Sequence, residues 1–310
     1  VDEARRRGIV AEVLDAPFGL FRLRLGARSI RCRESLSELT SAVAMSLCDD
    51  KRATRRVLAR GGVHTPEQVD ASDADALADF VARHERVVVK PARGEQGRGI
   101  TVGVSGMDAV REAIEVARAH CDDVVVEQMA PGMDMRIVVI DHHVVAAATR
   151  RPPQVVGDGR SDVRALIERL DRRRASATQG ESRVTLDAET ERCVAEAGHT
   201  LDTVLPADEV LVVRRTANLH TGGTIHDVTD RLHPTLREVA ERASKLLDIP
   251  VVGLDLMVPA VDGEDYVVIE ANERPGLANH EPQPTAERFV DLLFPQTRQP
   301  ERKKEDTRSR

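Results

Sequence analysis

The sequence predicts an α+β chain of three subdomains, and three observations carry that reading. First, short apolar strand patterns in the opening segment, 1–61, alternate with helical ones, which suits a small α/β unit. Second, residues 62–130 read as strand, glycine-rich loop, strand, helix, strand, the pattern of a compact lid. Third, residues 131–294 hold two hairpin patterns separated by a long polar stretch, which suits a larger antiparallel sheet. Residues 295–310 are charged and poor in apolar side chains, and a disordered tail is expected there.

In order, a basic helix leads into the strand Ile9–Leu14, and Phe21–Leu25 and Ser29–Arg33 flank Gly26-Ala27-Arg28 as a hairpin. Apolar spacing from Leu36 to Leu47 predicts a helix, Asp49-Asp50 caps the next one from Lys51, and Gly61-Gly62 ends it. The lid has helices at Asp73–His84 and Asp108–His120, with strands at Val87–Lys90, Ile100–Val104 and Val124–Val126. In the third subdomain a hairpin, Arg136–Ile140 with Val144–Ala148, turns at Asp141-His142-His143, and the two histidines read as polar turn residues. Helices are expected near Thr235–Leu247 and Thr285–Leu293.

Between those helices lies the strongest chemical signal. Val251–Val258 and Tyr266–Asn272 read as buried strands joined by turn residues centred on Asp262-Gly263, which sets Asp255 directly across from Glu270. Asn272, two residues on, shares the face. Two carboxylates opposed on an apolar face repel unless a cation lies between them, and hard oxygen donors without His or Cys suit magnesium better than zinc. The alternative is a pair of surface acids at a frayed hairpin end.

The second signal is Lys90-Pro-Ala-Arg-Gly94-Glu-Gln-Gly97-Arg-Gly99. Three glycines in six residues let the backbone close over an anion with its N–H groups inward, and Lys90 can place its ammonium on the same group. An ordinary surface hairpin is the competing reading. The loop lacks the Gly-Lys-Ser/Thr ending of a Walker A motif, and no kinase catalytic motif follows. Only five of the 45 basic residues are lysine, so Lys51 and Lys90 stand out as compact point charges where arginine is the default. Glu127-Gln128-Met129-Ala-Pro-Gly132 reads either as a hinge whose backbone meets an adenine edge, with Asp134 for ribose hydroxyls, or as a plain interdomain turn.

Bulk properties exclude several classes. A net charge of −7 and 2% aromatic residues argue against nucleic-acid binding. No apolar run is long enough to span a bilayer, no secretory signal is visible, and four scattered cysteines suit a reducing cytoplasm. The start at Val1 suggests a piece of a longer protein.

Together the lysine before a glycine loop, the Glu-x-x-x-Pro-Gly hinge and the Asp…Glu-x-Asn-x-x-Pro-Gly run resemble the ATP-grasp superfamily, from Asp50-Lys51 to Phe294. Arg150–Gly159 and Thr216–Thr224 are similar to the ATP-grasp part of cyanophycin synthetase, and Ile269–Pro284 resembles N-acetylglutaminylglutamine synthetase. The resemblance implies ATP-driven ligation of a carboxylate to an amine through an acylphosphate. Asp255, Glu270 and Asn272 would hold two magnesium ions, and Lys51 and Lys90 would neutralise the α- and β-phosphates. Gly94, Gly97 and Gly99 would close over the nucleotide, and Glu127, Gln128, Met129 and Asp134 would bind it. Arg215 would stabilise the transferred phosphate, with Arg150 or Arg151 and Arg274 as candidates for substrate carboxylates. Asn218, Thr221, Gly222 and Gly223 suit contact with the acyl substrate. The implied partners are an acyl amino acid and an amine amino acid, both glutamine derivatives; the alternatives are a ligase for another amino-acid pair, like cyanophycin or glutathione synthetase, and an ATP-binding regulatory module without turnover. The resemblance also implies an acetyltransferase domain fused N-terminally and missing from this chain. Homo-oligomerisation is left open.

Overall fold

The computed structural model describes residues 1–94, 98–178, 180, 182–217 and 219–299. Helix α1 (Asp2–Arg6) leads into β1 (Val10–Asp15), β2 (Leu20–Leu25), β3 (Arg28–Arg33) and β4 (Leu36–Ser37), an antiparallel sheet in that order. Leu25 pairs with Arg28, so Gly26-Ala27 is a two-residue turn, with Gly26 at a φ of 57°. The helix expected from Leu36 begins only at Ala42. Leu36 and Ser37 pair with β3 instead, and the Ser41 hydroxyl accepts from Ala44 N and sets the start of α2 (Ala42–Asp49). Asp50 caps α3 (Lys51–Arg60), accepting from Arg52 N and Ala53 N.

The second unit comprises β5 (Gln68–Asp70), α4 (Ala74–Arg83), β6 (Val87–Pro91), β7 (Thr101–Val104), α5 (Met107–Arg118) and β8 (Val124–Gln128). Its sheet runs β5-β8-β6-β7, and its own core joins Leu77, Phe80, Val89, Ile114 and Val126.

The third unit opens with the hairpin β9 (Met133–Ile140) and β10 (His143–Arg151). His143 pairs with Ile140, so the turn is Asp141-His142 alone, both at positive φ. The His142 ring packs on the later helix that carries Ser244, through a 2.8 Å bond to the Ser244 hydroxyl, so it is more than a solvated turn residue. Next come β11 (Gln154–Val156), α6 (Val163–Ala177), α7 (Ala188–Glu196), β12 (Val210–Val212), β13 (Thr224–Asp227) and α8 (Pro234–Leu246). The chain closes with β14 (Val251–Val258), β15 (Val267–Asn272) and α9 (Thr285–Leu293). A 3-10 turn at Pro295–Thr297 corrects the start of the expected tail, because the Thr297 N–H and hydroxyl both bond the Phe294 carbonyl. Residues 300–310 of that tail lie outside the described residues.

The main sheet runs β13-β10-β9-β14-β15. Alternation along β9 sorts its residues: Met135, Ile137 and Val139 face Leu58, Leu236 and Val239, while Val138 and Ile140 face Leu23, Ile30, Phe289 and Leu293. Residues 1–61 therefore contribute to both faces of this sheet, α2 and α3 on one side and the N-terminal sheet on the other. Among the described residues no helix is long and apolar enough to cross a membrane.

Candidate active site

On the hairpin of β14 and β15, Asp255 pairs with Glu270 and Gly253 with Asn272, the register expected from the sequence. Beyond Asp255 the register shifts, because Leu256 pairs with Val268 and leaves Ile269 as the extra residue of a β-bulge. The expected pairing thus holds on the acidic side of the bulge and slips by one toward the turn.

Asp255 is buried and fully engaged. Arg136, directly opposite it on β9, grips both carboxylate oxygens, with Nη2 at 2.8 Å from Oδ2. Arg150 Nη2 lies 3.1 Å from Oδ1, and Asn272 Nδ2 donates to Oδ2 at 3.3 Å. Arg150 also holds Asp134 through bonds of 2.7 and 3.0 Å. Burial pushes Asp255 up, but Arg136 and Arg150 outweigh it and hold the carboxyl below its usual range. For Asp134 the balance reverses: burial and the nearby Asp255 charge raise it despite Arg150.

Glu270 points to a different set of cations. Lys51, the first residue of α3, lies 3.3 Å from Glu270 Oε1 and donates to the Gly94 carbonyl at 2.9 Å. Lys90 on β6 is 3% exposed and contacts Glu127 Oε2 at 2.7 Å. Burial pushes its ammonium pKa down, and Glu127 opposes this only in part. Arg55 Nη2 sits 2.8 Å from Glu127 Oε1, off the hydrogen-bond axis. Among the described residues the ion pairs of Lys51, Lys90 and Arg55 are to Glu127 and Glu270, so these five side chains carry three positive charges against two negative ones, which favours an anion.

Asp255, Glu270 and Asn272 offer oxygen donors of the kind a hard divalent ion takes, and Asp255 must release Arg136 or Arg150 to turn an oxygen toward one. Among the described residues no cluster of three or more His, Cys, Asp or Glu side chains offers a rival metal site.

The remaining expected residues are spread around this centre. Gly94 and Gly99 flank the loop at φ of 133° and 70°, and a side chain at Gly99 would strike His120. Gly97 lies outside the described residues, as does Asn218. Gln128 N bonds Glu67 O at 3.0 Å, and Met129 N bonds Arg86 O at 3.3 Å. Arg215 pairs with Glu196 and lies against the lid strand at Gly103, beside Met129. Arg151 is exposed at the end of β10 and pairs with Thr224; Thr221 ends a 3-10 turn, and Gly222 and Gly223 behind it are buried. Arg274 lies 3.5 Å from Glu34 of the N-terminal sheet.

Sequence reasoning missed Arg136, Arg55 and His280. Arg55 was within reach, because it lies one helical turn from Lys51 on the same face. Arg136 was not, since nothing local reveals that β9 neighbours β14. Buried His280 is held down to about 4 by burial and then by Arg136 and Arg150.

Comparison with known proteins adds to this geometry. Residues 48–169 match a RimK-like ATP-grasp domain. The chain is 33% identical over 314 residues to cyanophycin synthetase of Nostoc sp., covering 95% of this chain and 34% of that protein. It is 28% identical over 308 residues to the glutathione biosynthesis bifunctional protein of Listeria innocua, covering 94% of this chain and 40% of the relative. The chain thus spans about a third of the length of the cyanophycin synthetases it matches. In fold it is similar to a bifunctional glutathione synthetase from Pasteurella multocida, with a TM-score of 0.64 and 24% identity over 95% of this chain and 44% of that one. It is also similar to D-alanine–D-alanine ligase from Bacillus anthracis, with a TM-score of 0.52 and 13% identity over 83% and 70% of the two chains.

Proposed function

The chain belongs to the ATP-grasp superfamily and has its fold, and on that premise we propose that it is an ADP-forming ligase joining a carboxylate to an amine. The observation that carries this reading is the pairing of Asp255 with Glu270 beside the buried lysines Lys51 and Lys90.

ATP-grasp ligases use ATP and magnesium. Here Asp255, Glu270 and Asn272 would hold magnesium, whose charge screens the phosphate oxygens from the incoming carboxylate. The substrate carboxylate attacks the γ-phosphorus in line, the bond to the β-phosphate oxygen breaks, and ADP leaves. An amine then attacks the acyl carbon of the resulting acylphosphate and expels phosphate, so one amide forms for each ATP split. Lys51 and Lys90 neutralise the α- and β-phosphates, Arg215 serves the transferred phosphate, and Arg150, Arg151 and Arg274 are the arginines available to substrate carboxylates. The loop from Gly94 to Gly99 shields the acylphosphate from water. The backbone after Glu127 meets the adenine. Asp134 must exchange Arg150 for a ribose hydroxyl to join it.

For the finer substrate, the run Ile269–Pro284 supports N-acetylglutamine as acyl donor and glutamine as amine, giving N-acetylglutaminylglutamine. The names of the relatives favour a second reading, in which another amino-acid pair is ligated. The test is phosphate release and product mass with ATP, magnesium and acyl–amine pairs. ADP formation with a new amide of the summed mass less water is expected. ATP binding without any amide across the amino-acid panel would sink the ligase reading, and an amide from another pair alone would replace the glutamine substrates.

A further inference from the structure

We infer that Arg55 is a positioning residue that locks together the two halves of the phosphate-binding centre. This rests on the ligase reading above and deepens it. The Arg55 side chain is only 6% exposed. Its Nη1 donates to the Pro66 carbonyl at 3.1 Å, on the segment entering the lid. Its Nη2 lies 2.8 Å from Glu127, the partner of Lys90, and 3.5 Å from the Ile269 carbonyl. Ile269 is the residue that the β-bulge leaves without a ladder partner, and it immediately precedes Glu270. One guanidinium therefore reaches the lid entry, the strand leading to the hinge, and the irregular strand that aims Glu270.

Two physical consequences follow. Arg55 shares the Glu127 carboxylate with Lys90, so that carboxylate is not committed to the lysine alone and Lys90 can exchange it for a phosphate. By donating to the bulged strand, Arg55 also fixes the backbone from which Glu270 projects. A planar fork is required to do both, and a lysine supplies a single point charge.

Arg55→Lys in the otherwise unaltered chain tests this. The KM for ATP is expected to rise about tenfold, in the range typical of a residue that orients a binding group. The melting midpoint should stay within a few degrees, and kcat should change less than KM. An unchanged KM for ATP would overturn the inference, as would a fall in kcat and melting midpoint with ATP affinity intact, which is what a merely structural role predicts. Should Arg55→Lys not fold, Glu127→Gln reads the contact from the other side: a similar loss of ATP affinity is expected, and wild-type affinity overturns the inference. Failure of the unaltered chain to bind ATP would remove both this inference and the ligase reading; normal ATP binding and turnover in Arg55→Lys would remove this one alone.

Discussion

Asp255 and Glu270 sit opposite one another yet differ in what their removal should do. Asp255 is 8% exposed and stands between two arginines, so Asp255→Ala strips the part-buried Arg136 of its carboxylate and leaves Arg150 with Asp134 alone. A loss of about 3–5 kcal/mol is expected on breaking such a set, read as a lower denaturant midpoint. The Glu270 side chain is 27% exposed and meets one lysine. Glu270→Ala should abolish turnover while the midpoint barely moves; substantial residual ligation would contradict its proposed metal role. His280 offers a pH test. Its folded pKa of about 4 lies below the ordinary 6.5, so between those values the unfolded chain binds more protons. Its contribution is therefore full above pH 6.5 and lost as pH falls toward 4, on the order of 3 kcal/mol. Stability of the ligand-free protein measured from pH 7 to 4 should fall less steeply in His280→Gln, and parallel curves would refute the assignment.

The hairpin of β14 and β15 is the element on which the site depends, and Gly253 shows how closely it is packed. A Cβ there would lie 2.9 Å from Pro275 Cβ and 3.0 Å from Arg136 Nη1. Gly253→Ala should push Arg136 away from Asp255, with a cost of about 1–3 kcal/mol and a loss of turnover; a midpoint equal to wild type would show that the arginine can move aside freely. This hairpin was legible in the sequence because its information is local: two apolar strands, a turn, and acids at spacings that fix one register. The bulge at Ile269 was not, since an extra residue leaves no mark in an alternating pattern that is apolar on both faces. The stretch from Leu36 to Leu47 misled for a related reason. Its apolar spacing satisfies a helix, but pairing to β3 and the Ser41 cap, both tertiary or backbone facts, decide where the helix begins. Arg136 stayed hidden because β9 and β14 are over a hundred residues apart in sequence, the paired side chains being separated by 119 in residue number.

For the molecule as a whole, the first 61 residues are bound into the core of the largest unit, whereas the lid has a hydrophobic core of its own. Thiol chemistry can check this packing. Cys32, Cys48 and Cys193 are buried and Cys121 is not; burial pushes the first two thiols up to about 12. The native protein should therefore show one fast-reacting thiol with an aromatic disulfide reagent, and four after denaturation. Three or more fast thiols in the native state would mean that residues 1–61 are not seated as described, because Cys121 and Cys193 account for at most two.

The bond from Lys51 to the Gly94 carbonyl has a last implication. The ammonium that the ligase reading assigns to phosphate ties Gly94, at the start of the glycine-rich run, to helix α3. An anionic oxygen is a stronger acceptor than an amide carbonyl, so on the ligase reading a triphosphate would draw this ammonium away from Gly94. Occupation of the site and the parting of Gly94 from α3 would then be a single event.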